Sequence, residues 1–517
     1  MSSFPIITLL TLVPLLGAAV VVGLPPQQKM LARRLALAFS IVPLVLMGML
    51  WQGFDPALTE MQFREQHEWI PTLGIDYSVG IDGLGLLMVV LTTLLVPLSI
   101  LAAWRIEEKV PVYFALVLAL QAGLFGTFTA LNFFHWFIFW ELSLVPAFFL
   151  IKLWGGPKRG PAATQFFIYT MVGSVALLLA FLALFWASGT FDFLTLAKEA
   201  RSGALASELA AKLSWNGRSG DQLSMILFLG VLLGFAVKVP LFPFHTWLPA
   251  TYAEAPTGTT MLLTGVMSKM GVYGFLRILL PIFPAQMQAV LTPLLWLAIA
   301  TIVLSALAAF AQKDLKRMLA YSSINHLGYC LLGVFAAVSV TDSGANWANE
   351  RAAALNGVLL QMFNHGLTAA TLFCFVGFLE QRSGGARGLD DFGGMRKVAP
   401  VLCGLMGISL FASLGLPGLN GFVGEFLIFK GVFSLTTWAA ALSSIGLLVT
   451  AIFLLTILQR VFNGPLNPKW ASLPDLTPME RSIVVPATVL MFALGIYPQF
   501  LIHMINTTVT HMVGLIP

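Results

Sequence analysis

The chain has 517 residues, of which 58% are hydrophobic and only 10% charged, and its mean hydropathy is +0.88. A soluble domain carries about 25% charged residues, so this chain lacks the polar side chains to cover a water-facing surface, and its excess apolar surface must face lipid. The net charge of +5 sits in short loops between apolar runs, which speaks for membrane topology and against nucleic-acid binding.

A membrane span needs about 20 mostly apolar residues. The first candidate, Met1 to Gly23, has no basic region ahead of it and no small-residue cleavage site before Pro25-Pro26, so it reads as a span and not as a signal peptide. It opens a series of about fourteen candidates in all, in chain order 5–24, 33–52, 82–104, 110–129, 131–151, 164–187, 222–249, 257–279, 287–311, 315–339, 354–379, 399–435, 436–459 and 482–504. The loops then alternate between two sides. One side collects Lys29, Arg33, Arg34, Arg105, Lys109, Lys152, Lys158, Arg159, Lys313, Lys316, Arg317, Arg382, Arg387, Arg396, Lys397, Arg460, Lys469 and Arg481. The other holds Arg64, Lys198, Arg201, Lys212, Arg218, Arg277, Arg351 and Lys430. The richer side is cytoplasmic by the positive-inside rule, which puts both termini outside. The longest outer segments, 53–80 and 188–221, mix Gly, Ser and charge as surface structure does. No linker marks a soluble domain, so residues 1–517 form one polytopic membrane domain.

An ionisable side chain at the bilayer centre costs about 2.5–3.5 kcal/mol on insertion scales, so it needs a partner, water or a function. Glu141, Lys238, Lys269 and Glu425 lie far from the ends of their apolar runs, and His326 and His365 share that depth. His135 and His245 lie near span ends, and His67, His503 and His511 are peripheral. Burial disfavours the charged form of either type of group, and a nearby opposite charge restores it. A buried Glu–Lys pair therefore changes its proton occupancy when its separation changes. A static pair that fixes helix packing is the plain alternative; four such residues and two histidines on separate spans weigh against it. Cys330, Cys374 and Cys403 lie in apolar stretches without a C-x-x-C pair, so the chain is expected to hold no metal and no iron–sulfur cluster. No G-x-G-x-x-G follows a predicted strand, so no nucleotide site is expected.

Two spans should be discontinuous. Pro240 and Pro243 follow Lys238 directly, and Gly415, Pro417, Gly418 and Gly421 precede Glu425. Unwound backbone at membrane depth is tolerated only where protein or water satisfies it, and paired broken helices point to the ion site of a repeat-built transporter. Lys238 and Glu425 are 187 residues apart, Glu141 and His326 185. These offsets suggest two five-helix units of opposite orientation: helices 4–8 over 110–279 and helices 9–13 over 287–459, with helices 7 and 12 broken. The fold class expected is an all-α integral membrane protein.

Nine stretches resemble the antiporter-like membrane subunits of respiratory complex I and its photosynthetic relatives. They are SVGIDGLG (78–85), FWELSLVPAFFLI (139–151), WGGPKRGPAATQFFIYT (154–170), GFAVKVPLFPFHTWLPATYAEAP (234–256), SKMGVYGFLRI (268–278), KDLKRMLAYSSINHLGY (313–329), QMFNHGLTAATLF (361–373), LGLPGLNGFVGEFLIF (414–429) and QRVFNGP (459–465). Glu425 on the second broken helix, where sister subunits tend to carry lysine, is similar to the subunit M (chain 4) branch. Asn325 and Asn364, each just before a histidine, are minor departures. The resemblance implies an input pair of Glu141 and Lys238 on helices 5 and 7, a central lysine, Lys269, on helix 8, a polar axis through His326 and His365, and a terminal site at Glu425 on helix 12. It implies a proton-translocating subunit of an NAD(P)H-quinone oxidoreductase, with no redox cofactor in this chain and with other membrane subunits, sister antiporter-like ones included, as partners. A bacterial inner membrane is the expected location, with a thylakoid or organellar membrane as the alternative. A subunit of an Mrp-type cation/proton antiporter, or of an energy-converting hydrogenase, would share these motifs. The electron donor and the quinone are not written in the chain.

Overall fold

The computed structural model describes residues 4–213, 217–339 and 347–516. All fourteen apolar segments are helical over most of their length. Among the described residues, eleven helices are long and apolar enough to cross a bilayer by themselves. The other three segments are the shorter helix Ile6–Val22, the more polar helix Leu315–Ala337, and a span interrupted between Pro400–Ser413 and Asn420–Leu435.

Burial separates the helices into an inner and an outer set. The most apolar windows of Thr257–Ile282 and Ala348–Arg382 are 100% buried, against 22% in Lys29–Gly53 and 33% in Thr437–Phe462. A helix buried on every face belongs to the core of a bundle. The two central helices therefore carry Lys269 and His365 where protein, not lipid, surrounds them. On the peripheral helices, Val45, Leu179, Leu448 and Val489 are exposed on the outer surface, as a lipid-facing belt requires.

The fold is helical as expected, with one addition and one change of bounds. Part of the 53–80 segment is an antiparallel hairpin, Gln62–Ile70 with Ile75–Ile81. Its turn closes at Gly74, whose φ of +61° suits a residue without a Cβ. The hairpin docks through Glu65, which accepts hydrogen bonds from the backbone N–H groups of Ile7 (2.8 Å) and Thr8 (3.2 Å) and from the Thr8 hydroxyl. The first N–H groups of a helix have no intrahelical partner and favour a carboxylate. The last span is not one helix over 482–504. It ends at Ile496, and Gln499–Gly514 is a separate helix. The cause is Pro498, which drives Tyr497 out of helical geometry to φ −130° and ψ 68°. The segment 188–221 forms two short helices, Phe193–Arg201 and Ala204–Leu213; its residues 214–216 lie outside the described ones.

Loop contacts sort into the same two groups as the basic residues. On one side Lys29 and Arg33 meet Glu107, the Lys158 N–H meets Glu254, and Arg387 meets Asp314 and Glu254. On the other, Glu65 meets Thr8, Arg277 meets Asp82, and the Gly83 N–H donates to Thr508.

Candidate functional site

The first interrupted helix runs Gly220–Lys238 and resumes as Trp247–Glu254. Pro240 and Pro243 cannot supply helical N–H donors, and the freed groups find other partners. Trp247 Nε1 donates to the Val237 carbonyl (3.0 Å), and the Phe242 N–H donates to Thr301 Oγ1 (2.9 Å). Lys238 closes the first half. It is 3% exposed, and its ammonium lies 4.8 Å from the centre of the Trp140 ring, a cation–π contact worth more where water is excluded. Ser174 holds that ring through Trp140 Nε1 (3.0 Å). Glu141, next to Trp140 on the helix Phe133–Trp154, supplies the negative charge that Lys238 senses. It stands outside contact ion-pair distance, however, and its Oε1 is buried without a hydrogen-bond partner. The expected pair is present as neighbouring charges and not as a closed salt bridge.

Lys269 lies on Thr257–Ile282, between two stretches of widened, π-helical turn, Leu263–Met267 and Phe275–Leu279. A π turn leaves backbone groups available and occurs often at functional sites. Here it frees the Thr264 carbonyl, which accepts from the Lys269 ammonium (2.5 Å) and from Ser268 Oγ (3.0 Å). Lys269 is wholly buried. Gly271 brings this helix against the first break, since a Cβ there would meet Val239 Cγ2 at 2.4 Å and Lys238 Cβ at 3.3 Å.

The second break places Glu425 in a dense network. Its Oε1 lies 3.0 Å from His326 Nδ1 and accepts from Gln361 Nε2 (3.3 Å). His326 Nε2 meets Ser413 Oγ at 3.1 Å, and its ring stacks on His365 with centroids 4.8 Å apart. His365 in turn feels the charge of Lys269. Gly415, at φ +78°, lets the unwound chain pass beside the carboxylate; a Cβ there would lie 2.8 Å from Glu425 Oε2. Asn420 ties the break to the His365 helix by donating to the Asn364 carbonyl (3.2 Å) and accepting from Asn364 through its own carbonyl (2.7 Å).

The structure thus brings Lys269, His365, His326 and Glu425 into one buried row and sets Glu141 and Lys238 at its other end. Lys238 and Glu425 each stand on one of the two interrupted helices, Lys238 at the end of the first half of its helix and Glu425 in the second half of its own. Gln361 and Ser413 escaped the sequence reading because neutral side chains carry no depth penalty large enough to single them out. Asp82 and Arg277 lay inside recognised motifs but near span ends, where charge is unremarkable.

The family model described as NADH:quinone oxidoreductase/Mrp antiporter, TM, matches residues 130–452, which include Glu141, Lys238, Lys269, His326, His365 and Glu425. The NADH-quinone oxidoreductase subunit M of Rhodobacter capsulatus is 36% identical over 513 residues, covering 98% of this chain and 96% of that protein. The F(420)H(2) dehydrogenase subunit M of Methanosarcina mazei is 36% identical over 522 residues, covering 99% and 98%. A chain in the structure of respiratory complex I from Thermus thermophilus with bound NADH aligns at a TM-score of 0.84 and 28% identity, over 99% of this chain and 100% of that one. A chain of the Mrp complex from Dietzia reaches a TM-score of 0.82 at 20% identity over the full length of both, a likeness of fold alone. With its apolar helices, its interrupted spans and these relatives, the chain is a multi-pass integral membrane protein that belongs to the NADH:quinone oxidoreductase/Mrp antiporter transmembrane family.

Proposed function

We propose that this chain is the antiporter-like subunit M (chain 4) of a proton-pumping NAD(P)H-quinone oxidoreductase, and that Glu141, Lys238, Lys269, His365, His326 and Glu425 are its relay. The observation that carries the proposal is the buried contact chain His365–His326–Glu425, with the Lys269 charge within electrostatic reach of His365 and an open Glu141–Lys238 pair at the far end. Sister membrane subunits flank the chain. Electron transfer takes place elsewhere in the complex, and this chain holds no redox centre. Residues 110–279 and 287–459 act as two units of opposite orientation around the row. The side rich in lysine and arginine faces the cytoplasm of a bacterial inner membrane, so the hairpin and both termini face outward.

The mechanism is electrostatic. A change in a neighbouring subunit alters the Glu141–Lys238 separation. Moving two unit charges from about 5 to about 8 Å apart, at an effective dielectric of about 20, is worth about 1 kcal/mol, or nearly tenfold in proton affinity. Lys238, less compensated, then acts across the Gly271 contact on Lys269 and drives it to release its proton. His365 and His326 carry the change in charge on to Glu425. The long identity to subunits M of quinone oxidoreductases favours this reading over an Mrp-type antiporter.

The test is Lys269→Ala in the intact complex, reconstituted in vesicles. Quinone reduction with reduced proton uptake is the result expected; a complex that assembles and pumps as before would refute the relay.

A further inference from the structure

Lys269, Tyr273 and Arg277 are spaced four residues apart along the core helix, so they rise along one face toward the hairpin side. The upper pair is in contact, with Arg277 Nε donating to the Tyr273 hydroxyl at 3.2 Å. That hydroxyl donates to the Phe128 carbonyl (3.0 Å), which fixes its position. The Arg277 guanidinium closes on Asp82 in a buried ion pair. Asp82 is not a free carboxylate either. It caps the helix Gly83–Ala102 by accepting from the Gly85 N–H (3.0 Å), with the same Oδ1 that meets Arg277. Directly over this pair lies a cavity of about 430 Å³. Asp82 and Arg277 form its floor, and exposed Glu60, Arg64, Lys198, Arg201 and His511 stand around it. A cavity of this size with a charged lining holds several waters.

We infer that this cavity is the outer mouth of the proton path, and that the Asp82–Arg277 pair is its gate. The inference rests on the relay reading above and adds the place where the proton leaves. In the structure Lys269 points the other way, toward the inner end of its helix, where Thr264 O holds it. Release requires the side chain to swing up by about one turn toward Tyr273. Its ammonium then gives a proton, through water, to Asp82 Oδ2, and Lys269 is left as a neutral amine. Protonated Asp82 loosens from Arg277 and passes the proton to cavity water, and the ion pair reforms. Arg277 keeps its charge throughout and repels protons returning from the cavity, as a cation placed in a pore excludes them. Asp82 is a proton carrier in this scheme, and Arg277 positions it. A purely structural staple between the helices Gly83–Ala102 and Thr257–Ile282 would need neither the cavity nor the shared face with Lys269.

The experiment uses the intact complex in sealed vesicles with the hairpin side accessible. Leu194 lines the cavity and is 41% exposed, while all three native cysteines are buried. Leu194→Cys should pump normally until a bulky, membrane-impermeant thiol reagent is added. Labelling should then lower protons moved per electron while quinone reduction continues. Asp82→Asn should assemble and slow proton release on the order of 10²-fold, the usual cost of losing a proton-transfer group. Full labelling at position 194 with unchanged pumping, or an assembled Asp82→Asn complex that pumps normally, overturns the outlet. If Lys269→Ala still abolishes pumping in that case, the relay stands and only the outlet falls. If Lys269→Ala also pumps normally, the relay itself has failed. Should Asp82→Asn not assemble, the Leu194→Cys result decides alone.

Discussion

The two broken helices solve the same problem in opposite ways. At the first, Lys238 has an aromatic ring and a carboxylate held short of contact, and Glu141 Oε1 has no hydrogen-bond partner. At the second, Glu425 is engaged by His326 and Gln361, and Ser413 engages His326 in turn. A carboxylate oxygen buried without a partner is costly, whereas a carboxylate held by two side chains resists displacement. The first break is therefore the end that can respond to a small displacement, and the second the end that holds a settled state. Function and stability should divide along this line, as they do where strained sites serve activity.

The most severe test of the contrast is Glu141→Gln. It should slow proton transfer on the order of 10²-fold and leave the thermal stability of the complex unchanged or slightly raised, because a neutral amide replaces a carboxylate with an open oxygen. Pumping assays beside thermal unfolding on native gels read both effects, and a stability loss as large as that of a Glu425 variant would erase the contrast. Next in size, Glu425→Leu removes the acceptor shared by His326 Nδ1 and Gln361 Nε2, leaving them only their 3.3 Å contact with each other, and should cost about 1–3 kcal/mol of stability, with Glu425→Gln recovering most of it. The same thermal assay applies, and unchanged stability in the leucine variant would show that the network is slack. Gly271→Ala probes the joint between the two regions. Its Cβ would lie 2.4 Å from Val239 Cγ2, so the helices must separate at a cost of about 1–3 kcal/mol. Reduced pumping with normal assembly is expected, and normal pumping would mean that Lys238 does not act on Lys269 across this contact. The smallest effect belongs to a charge outside the spans. Hydrogen bonds from Lys29 and then Arg33 hold the Glu107 carboxyl below the usual carboxylate range. Its contribution is complete above that range and fades as pH falls through the lowered value. Because Glu107 is exposed, Glu107→Gln should leave pumping and assembly unchanged at neutral pH; a pumping defect would show that this loop takes part in coupling.

Much of this was legible in the chain because hydropathy and chain breaks are local. A run of apolar residues must enter lipid wherever it lies in the fold, and Pro240 or Pro417 interrupts a helix whatever surrounds it. Glu141, Lys238, Lys269 and Glu425 stood out because a charge inside such a run needs an explanation at once. Gln361 and Ser413 did not, since polar neutral residues are common in buried helices and acquire meaning only from what they touch. The hairpin was hidden because one face of so short an element carries little periodicity, and Glu65, which anchors it, is one acidic residue among several in a surface segment.

The amino-acid order by itself determined that the chain crosses a membrane many times, where its buried charges lie along the spans, and which two helices must unwind. Tertiary structure alone decided that Glu141 and Lys238 stand apart, that His326 and not a lysine faces Glu425, and that Arg277 closes on Asp82 beneath a cavity. The reason is one of range. Insertion energy and helix breaking depend on neighbours in sequence, whereas the partner of a buried charge comes from a helix that can lie a hundred or more residues away, and only packing selects it.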